Sequence, residues 1–372
     1  MPTRLLLTTT LLLLALAAPA TAHAAQRSSL FGINSWALLE EDAQIAQLRD
    51  MPVGGYRMPF SWAYAEREAG APYDFWSHDR VVAGAARLGV RVLPILSDSP
   101  QWVRGSSTRV GEPPEPGYEM SRFEAFAAAA AERYGAGGSF WREHPELPYL
   151  PIRDWEVWNE PNFPSFWYDG RRPSASDYRL LLTAARGGLT AGDPHARVVF
   201  GGLSYGGAAV PPVRYLREFL RVRGSECLFD EMAIHPYSHT PRQVLRRSLR
   251  MRAVLDAAGR TDARLWLTEY GWSTGGAHRH RFHVSEEGQQ RNLVRTTRAL
   301  LRLRSKLRLG GLYWFALRDA APGTGDQSWW GWGTGLLRED GSAKPAFASY
   351  QRLASTAPRA VPSGHSACGV SP

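Results

Sequence analysis

Two short stretches of this 372-residue chain end an apolar run in a single glutamate set against a turn. The first is Asp154-Trp155-Glu156-Val157-Trp158-Asn159-Glu160-Pro161-Asn162. The second is Leu265-Trp266-Leu267-Thr268-Glu269-Tyr270-Gly271-Trp272. Glutamate is almost never buried without a partner, because leaving water costs a lone carboxylate too much. A carboxyl at the mouth of a strand, behind a wall of tryptophan, is therefore expected to do chemistry and not to fill a core. Two such carboxyls on parallel strands are the minimum equipment for cleaving a glycosidic bond. Glu160 and Glu269 are the candidate catalytic pair.

Something must hold those two glutamates face to face. Strand-like apolar runs alternate with amphipathic helical runs eight times along the chain. The strands are expected at Ser29–Ser35, Gly55–Phe60, Arg91–Leu96, Arg153–Trp158, Arg197–Gly201, Glu231–His235, Arg264–Glu269 and Gly311–Ala316. The helices are expected at Leu38–Arg49, Phe75–Leu88, Ser121–Tyr134, Ala175–Ala191, Val213–Arg223, Gln243–Ala258, Ser285–Leu303 and Pro345–Ala354. Such alternation implies parallel strands joined by helical crossovers. Eight units imply an α/β fold, a single closed (β/α)8 barrel over residues 25–355 with a flexible tail over 356–372. An open doubly wound sheet would want a Gly-rich phosphate turn after an early strand, which Gly32 and Gly54-Gly55 do not form.

In a barrel, chemistry sits where the strands end. The expected strand ends carry Asn34-Ser35-Trp36, Arg57 to Trp62, Ser97-Asp98-Ser99-Pro100-Gln101-Trp102, Trp158-Asn159-Glu160, His235-Pro236-Tyr237, Glu269 to Trp272 and Tyr313-Trp314-Phe315. Sugar rings have apolar faces and polar edges, so a cleft lined with tryptophan and a few hydrogen-bonding groups suits them. The substrate-binding candidates are Arg57, Trp62, Asn159, His235, Tyr237, Trp272 and Trp314, with Trp314 the favoured sugar platform. Glu269 lies 109 residues beyond Glu160. At roughly 30 residues per unit, that is three units, which puts the pair across the barrel mouth.

These motifs resemble clan A glycoside hydrolases. Trp158 to Pro161 matches the clan's Asn-Glu-Pro signature, and Thr268-Glu269-Tyr270-Gly271 matches its nucleophile strand. Arg57 matches its strand-two arginine, and His235-Pro236-Tyr237 its strand-six element. Within the clan the chain is most similar to glycoside hydrolase family 39, where Glu-Val-Trp-Asn-Glu-Pro-Asn is typical, with family 5 next. The accessory β-sandwich of many family 39 enzymes has no counterpart here. The resemblance implies a retaining mechanism with Glu160 as acid/base and Glu269 as nucleophile. Glu160 must then be protonated and Glu269 ionised. Arg57 would keep Glu269 ionised, Tyr237 would donate to it, and Asn159 would bind the 2-hydroxyl of the sugar.

The remaining features bound this reading. Arg4, the apolar run Leu5 to Ala18 and Ala22-His23-Ala24 form a signal peptide over residues 1–24, so the mature protein is expected to be secreted. The run is too short for a comfortable membrane span, and no stable membrane insertion is expected after cleavage. Cys227 and Cys368 either pair in that oxidising setting or stay as free thiols. The net charge of +9 is an arginine excess, since the only lysines are Lys306 and Lys344. Without aromatic interleaving it reads as solvated helix faces and not as a nucleic-acid surface. His278, His280 and His283 read as a basic loop and not as a metal site, because no acidic residue lies among them. The expected partner is a carbohydrate substrate, with no cofactor, no metal and a monomeric state. A catalytically silent carbohydrate-binding barrel is the alternative. A metal-dependent hydrolase is disfavoured by the lack of a His-x-His motif on strand one.

Overall fold

The computed structural model describes residues 27–34, 47–105, 107, 111–167, 172–275, 282–320 and 330–363. Eight parallel strands close into a barrel in sequential order: β1 (Ser28–Asn34), β2 (Val53–Ser61), β3 (Arg91–Ser97), β4 (Asp154–Val157), β5 (Arg197–Ser204), β6 (Glu231–His235), β7 (Arg264–Tyr270) and β8 (Leu309–Trp314). The main helices outside it are α1 (Trp76–Arg87), α2 (Tyr118–Tyr134), α3 (Ala175–Gly192), α4 (Pro212–Phe219), α5 (Pro241–Ala257), α6 (Glu286–Arg302) and α7 (Pro345–Ser355). No described helix is long and apolar enough to cross a membrane. The signal peptide, most of the helix expected at Leu38–Arg49, and Ser35, Trp36, His278, His280 and Cys368 lie outside the described residues.

Local chemistry explains why the elements start where they do. Ser174, Thr240 and Ser285 precede α3, α5 and α6, and each side-chain oxygen accepts from a backbone N–H in the first turn. That satisfies a donor the helix itself cannot pair. Pro212, Pro241 and Pro345 stand in the first turns of α4, α5 and α7, where a missing N–H costs nothing. α4 stops at Phe219, short of the expected Arg223, and Gly224 turns the chain in the left-handed region.

Alternation along the strands sorts side chains into three interior layers. The floor is ionic: Asp154, Arg197, Glu231 and Arg264 are the first residues of β4 to β7. The middle is apolar, built from Leu93, Val199, Ala233, Trp266 and Tyr313. Trp266 and Tyr313 stack with centroids 5.9 Å apart and planes at 27°. Gly32 and Gly55 make room for that stack, since a Cβ at either would overlap the Tyr313 ring. The top layer is polar and holds Asn34, Arg57, Glu156, His235 and Thr268, all nearly inaccessible to solvent. The larger apolar core lies between strands and helices.

The described start of the expected flexible tail, residues 356–363, makes hydrogen bonds to the barrel. Val361 N–H donates to Leu309 O at 3.0 Å and Ala360 N–H to Ser29 Oγ at 3.2 Å, at the N-terminal ends of β8 and β1. Arg304 and Arg264 donate to the carbonyls of Arg359 and Val361. Cys227 is disulfide-bonded, and Cys368 is the only other cysteine in the chain.

Candidate active site

The top layer is organised around one guanidinium. Arg57, on β2, is 2% exposed. Its Nε and Nη2 donate to Glu156 at 2.6 and 2.9 Å, and its Nη1 donates to Glu269 Oε1 at 2.7 Å and to Asn34 Oδ1 at 2.9 Å. Nη2 also reaches Asn159 Oδ1 at 3.0 Å. A buried cation between two carboxylates is stable only when its forks are filled in this way. Asn34 locks the arrangement from β1, donating through Nδ2 to the carbonyls of Thr268 and Trp314. Glu156 is fully buried and also accepts from Gly202 N–H at 2.9 Å and Thr268 Oγ1 at 3.3 Å.

Two backbone irregularities bring the candidate pair to the mouth. Trp158 and Glu160 both take positive φ, 64° and 45°, which non-glycine residues rarely adopt. They turn the chain after β4 so that Asn159 and Glu160 enter the cavity. In β7 the pairing with β8 shifts register between Leu267 and Tyr270. Such a shift lets Thr268 and Glu269 both reach the mouth although they are neighbours.

The two carboxyls then differ in their partners. Glu269, 9% exposed, receives Arg57 and the Tyr237 hydroxyl, the latter at 2.9 Å. Glu160, 6% exposed, touches no cation; its partners are His235 Nδ1 at 2.8 Å and the Ser204 hydroxyl. One oxygen of each carboxyl and a ring nitrogen of His235 lie within 4.8 Å of one another. Burial, then the Glu269 charge, push the Glu160 carboxyl well above the usual carboxylate range. Burial also raises Glu269, but Arg57 and Tyr237 oppose it. The cation and the hydroxyl therefore favour charge on Glu269 over charge on Glu160.

His235 is neutral. Burial and the Arg57 charge hold it well below the usual histidine range. Arg57 Nη2 faces its Nε2 at 3.4 Å and Thr268 Oγ1 sits 3.1 Å from the same nitrogen. Nδ1 faces Glu160 Oε1, so the ring ties the Glu160 carboxyl to the Thr268 hydroxyl on its other side.

A cavity of about 630 Å³ opens over the pair. Its walls are Phe163 and Phe166 after β4, Phe282 after β7, and Phe315, Trp330 and Trp332 after β8. Arg57, Asn159, Glu160, Tyr237 and Glu269 lie in its wall. Since Asn159 Oδ1 accepts from Arg57, its amide NH2 points the other way.

The structure thus brings Arg57, Asn159, His235, Tyr237, Glu160 and Glu269 together. It does not bring Trp62, Trp272 and Trp314 to the cavity. Trp62 packs against Trp102, Phe123 and Phe126 and donates to Glu66. Trp314 follows the inward Tyr313, so alternation turns it outward against Tyr270, Trp272 and Tyr350. Its indole N–H donates to Thr334 O, and that of Trp272 to His239 O. All three are fully buried, so none can serve as a sugar platform. Trp330 and Trp332 occupy the wall instead; they sit in a short 3-10 helix, Trp330–Gly333, with no strand periodicity to flag them. Glu156 and Asn34 were also not singled out. A second buried glutamate two residues along β4 was the available signal, since it demanded a cation.

Glu160, His235 and Glu269 have the donor types and spacing to hold a metal ion. Arg57 lies 2.7 Å from Glu269 and already neutralises it, which works against a second cation there.

Known proteins agree with this fold. No protein-family model matches the sequence, and no curated protein matches it. Solved structures do match. A family 39 glycoside hydrolase from the gut symbiont Bacteroides cellulosilyticus WH2 superposes with a TM-score of 0.65 at 19% identity, covering 90% of this chain and 64% of that one. The GH39 enzyme from Xanthomonas axonopodis pv. citri gives 0.63 at 18%, covering 91% and 68%. A GH5_18 from Bifidobacterium longum subsp. infantis gives 0.63 at 16%, covering 90% and 81%. This chain therefore spans about two thirds of the family 39 chains, and what it shares with all three is the (β/α)8 fold.

Proposed function

We propose that this protein is an exported glycoside hydrolase that cleaves β-glycosidic bonds of an oligo- or polysaccharide with retention, by double displacement. The observation that carries the reading is the asymmetric carboxyl pair, with Glu269 held by a cation and a hydroxyl and Glu160 held by His235 with no cation bonded to it. Retaining enzymes keep their carboxyls ~5–5.5 Å apart, inverting ones ~6.5–9.5 Å apart to admit a water. Oxygens within 4.8 Å favour the first class.

Each residue then has a task. Glu269, ionised beside Arg57, attacks the anomeric carbon while Glu160 gives its proton to the leaving oxygen. The glycosyl-enzyme is hydrolysed when Glu160, now a carboxylate, takes a proton from water. Tyr237 releases its hydrogen bond to Glu269 as that carboxylate becomes an ester. His235 stays neutral and keeps Glu160 oriented through both steps. Asn159 offers its amide to the sugar 2-hydroxyl, a bond that strengthens as charge develops. Export rests on the N-terminal apolar run and its A-x-A site. A monomer suffices, because one chain supplies every residue named.

Assays with aryl β-glycosides test this directly. The wild-type protein should turn over at least one of them, with EDTA making no difference. Glu269→Ala should lose ~10⁵-fold or more, and azide should partly restore turnover of an activated glycoside by filling the space left. Chelator-sensitive activity would point to the metal reading, and binding without turnover to a silent lectin-like barrel.

A further inference from the structure

The polar stretch Ser97-Asp98-Ser99 at the end of β3 has no part in the chemistry above, yet Asp98 lines the same cavity as Glu160 and Glu269. Its φ is 63°, a conformation costly for a side-chain-bearing residue. The turn is tied by the Asp98 carbonyl, which accepts from Ala63 N–H at 2.8 Å. Ser61 and Ser97 are paired in register at the ends of β2 and β3, and both hydroxyls hydrogen-bond to the Asp98 carboxyl. A carboxylate offers about four acceptor positions. Two serines use two of them and leave two for whatever fills the cavity.

Charge narrows what that is. The one cation among the described cavity-lining residues is Arg57, and it is committed to Glu156 and Glu269. Nothing there would compensate an acidic sugar. Adjacent ring hydroxyls of a neutral sugar supply two donors at a spacing that one carboxylate can accept. We propose that Asp98 is a specificity-determining residue, accepting hydrogen bonds from two neighbouring hydroxyls of a neutral pyranose held against Glu160 and Glu269. The inference rests on the hydrolase reading above.

Burial pushes the Asp98 carboxyl up to about 6, so at neutral pH it is an anion kept at a cost to the fold. A purely structural Asp98 would be worth its cost through the two serines, and replacing it would loosen the β2–β3 mouth. A sugar-binding Asp98 is a liability until sugar arrives. The two roles therefore predict opposite changes in stability.

The test is Asp98→Asn and Asp98→Ala, assayed on 4-nitrophenyl β-glucoside, galactoside, mannoside, xyloside and 2-amino-2-deoxyglucoside, with Tm measured on each protein at pH 7.5. For the glycoside the wild type prefers, kcat/KM should fall about 10- to 100-fold in Asp98→Asn, mainly through KM. Poorer neutral epimers should lose less, so the spread across the panel narrows, while Tm holds or rises. Asp98→Ala should narrow it at least as far. Equal losses on every glycoside together with a lower Tm would overturn the proposal in favour of a structural role. An unchanged spread of kcat/KM across the panel would overturn it as well. A loss confined to the amino sugar would replace the neutral diol by a cationic partner. A wild type inactive on the whole panel would sink the hydrolase reading itself, and is seen before any variant is compared.

Discussion

The two ends of the barrel interior are both built from buried charges, and they are finished differently. At the floor, Arg264 clamps Glu231 with bonds of 2.6 to 2.9 Å, and Arg197 grips both oxygens of Asp154 at 2.7 and 2.8 Å. Trp266 adds its indole N–H to Glu231. Each floor carboxylate has an arginine fork, and the Trp266–Tyr313 stack seals the layer from above. At the mouth three carboxyls, Glu156, Glu160 and Glu269, share one arginine. Glu156 takes most of it, Glu269 takes one nitrogen, and Glu160 gets none. A matched buried pair is costly to break from either side, because the partner left behind keeps an uncompensated charge. Three carboxyls on one arginine leave one member with no cation, and its carboxyl is the one pushed well above the usual range.

Removing one arginine from each end separates these roles and should give the largest effect. Arg264→Met and Arg57→Met each strand buried carboxylates, so each should cost about 3–5 kcal/mol of stability in denaturant titrations. Only Arg57→Met should also lower kcat at temperatures where the protein stays folded, by ~10²-fold or more, since it removes the charge that keeps Glu269 ionised. If Arg264→Met lowered kcat of the folded enzyme as strongly, the two ends would not be distinct.

Glu160→Gln comes next. For glycosides with poor leaving groups kcat/KM should fall ~10²–10⁴-fold. Aryl glycosides with acidic leaving groups should lose far less in glycosylation, because they leave without a proton. The pH profile sharpens the point. In the proposed mechanism Glu160 acts as its acid form, and burial raises its pKa, so wild-type activity should be lost as pH rises through that raised pKa. In Glu160→Gln that alkaline limb should vanish on an activated substrate. A retained limb would assign the acid elsewhere.

The smallest effect contrasts two tryptophans. Trp330→Ala, in the cavity wall beside Tyr237 and Phe282, should raise KM several-fold and leave Tm nearly unchanged. Trp314→Ala removes a fully buried ring and should cost about 3–5 kcal/mol, with little change in KM below the new melting point.

That contrast marks how far the sequence could be read. Glu231–His235 was placed to the residue because turn signals bound a short apolar run on both sides. Glu160 and Glu269 were visible because a glutamate ending an apolar strand has no comfortable structural use. Trp314 was misassigned although the means to place it were present: alternation from Tyr313 turns it outward. Trp272 and Trp62 lie just past strand ends, where periodicity no longer says which way a side chain points. Trp330 and Trp332 belong to a single 3-10 turn after β8, whose placement depends on tertiary contacts such as Lys344 Nζ donating to Gly333 O. The inward turn of Glu269 depends on a register shift between β7 and β8, and such shifts leave no mark in either strand alone. The docking of residues 356–361 under β1 and β8 was hidden for a similar reason, since backbone pairing needs no particular side chain.

The retaining assignment rests on the closeness of Glu160 and Glu269 and on the unequal share each has in Arg57. Anomer-resolved proton NMR of the wild-type reaction, recorded on an aryl β-glycoside before mutarotation sets in, tests it most directly. The first sugar released should carry the β configuration of the substrate. A first-formed α anomer would contradict the assignment and recast Glu269 as a base acting through water.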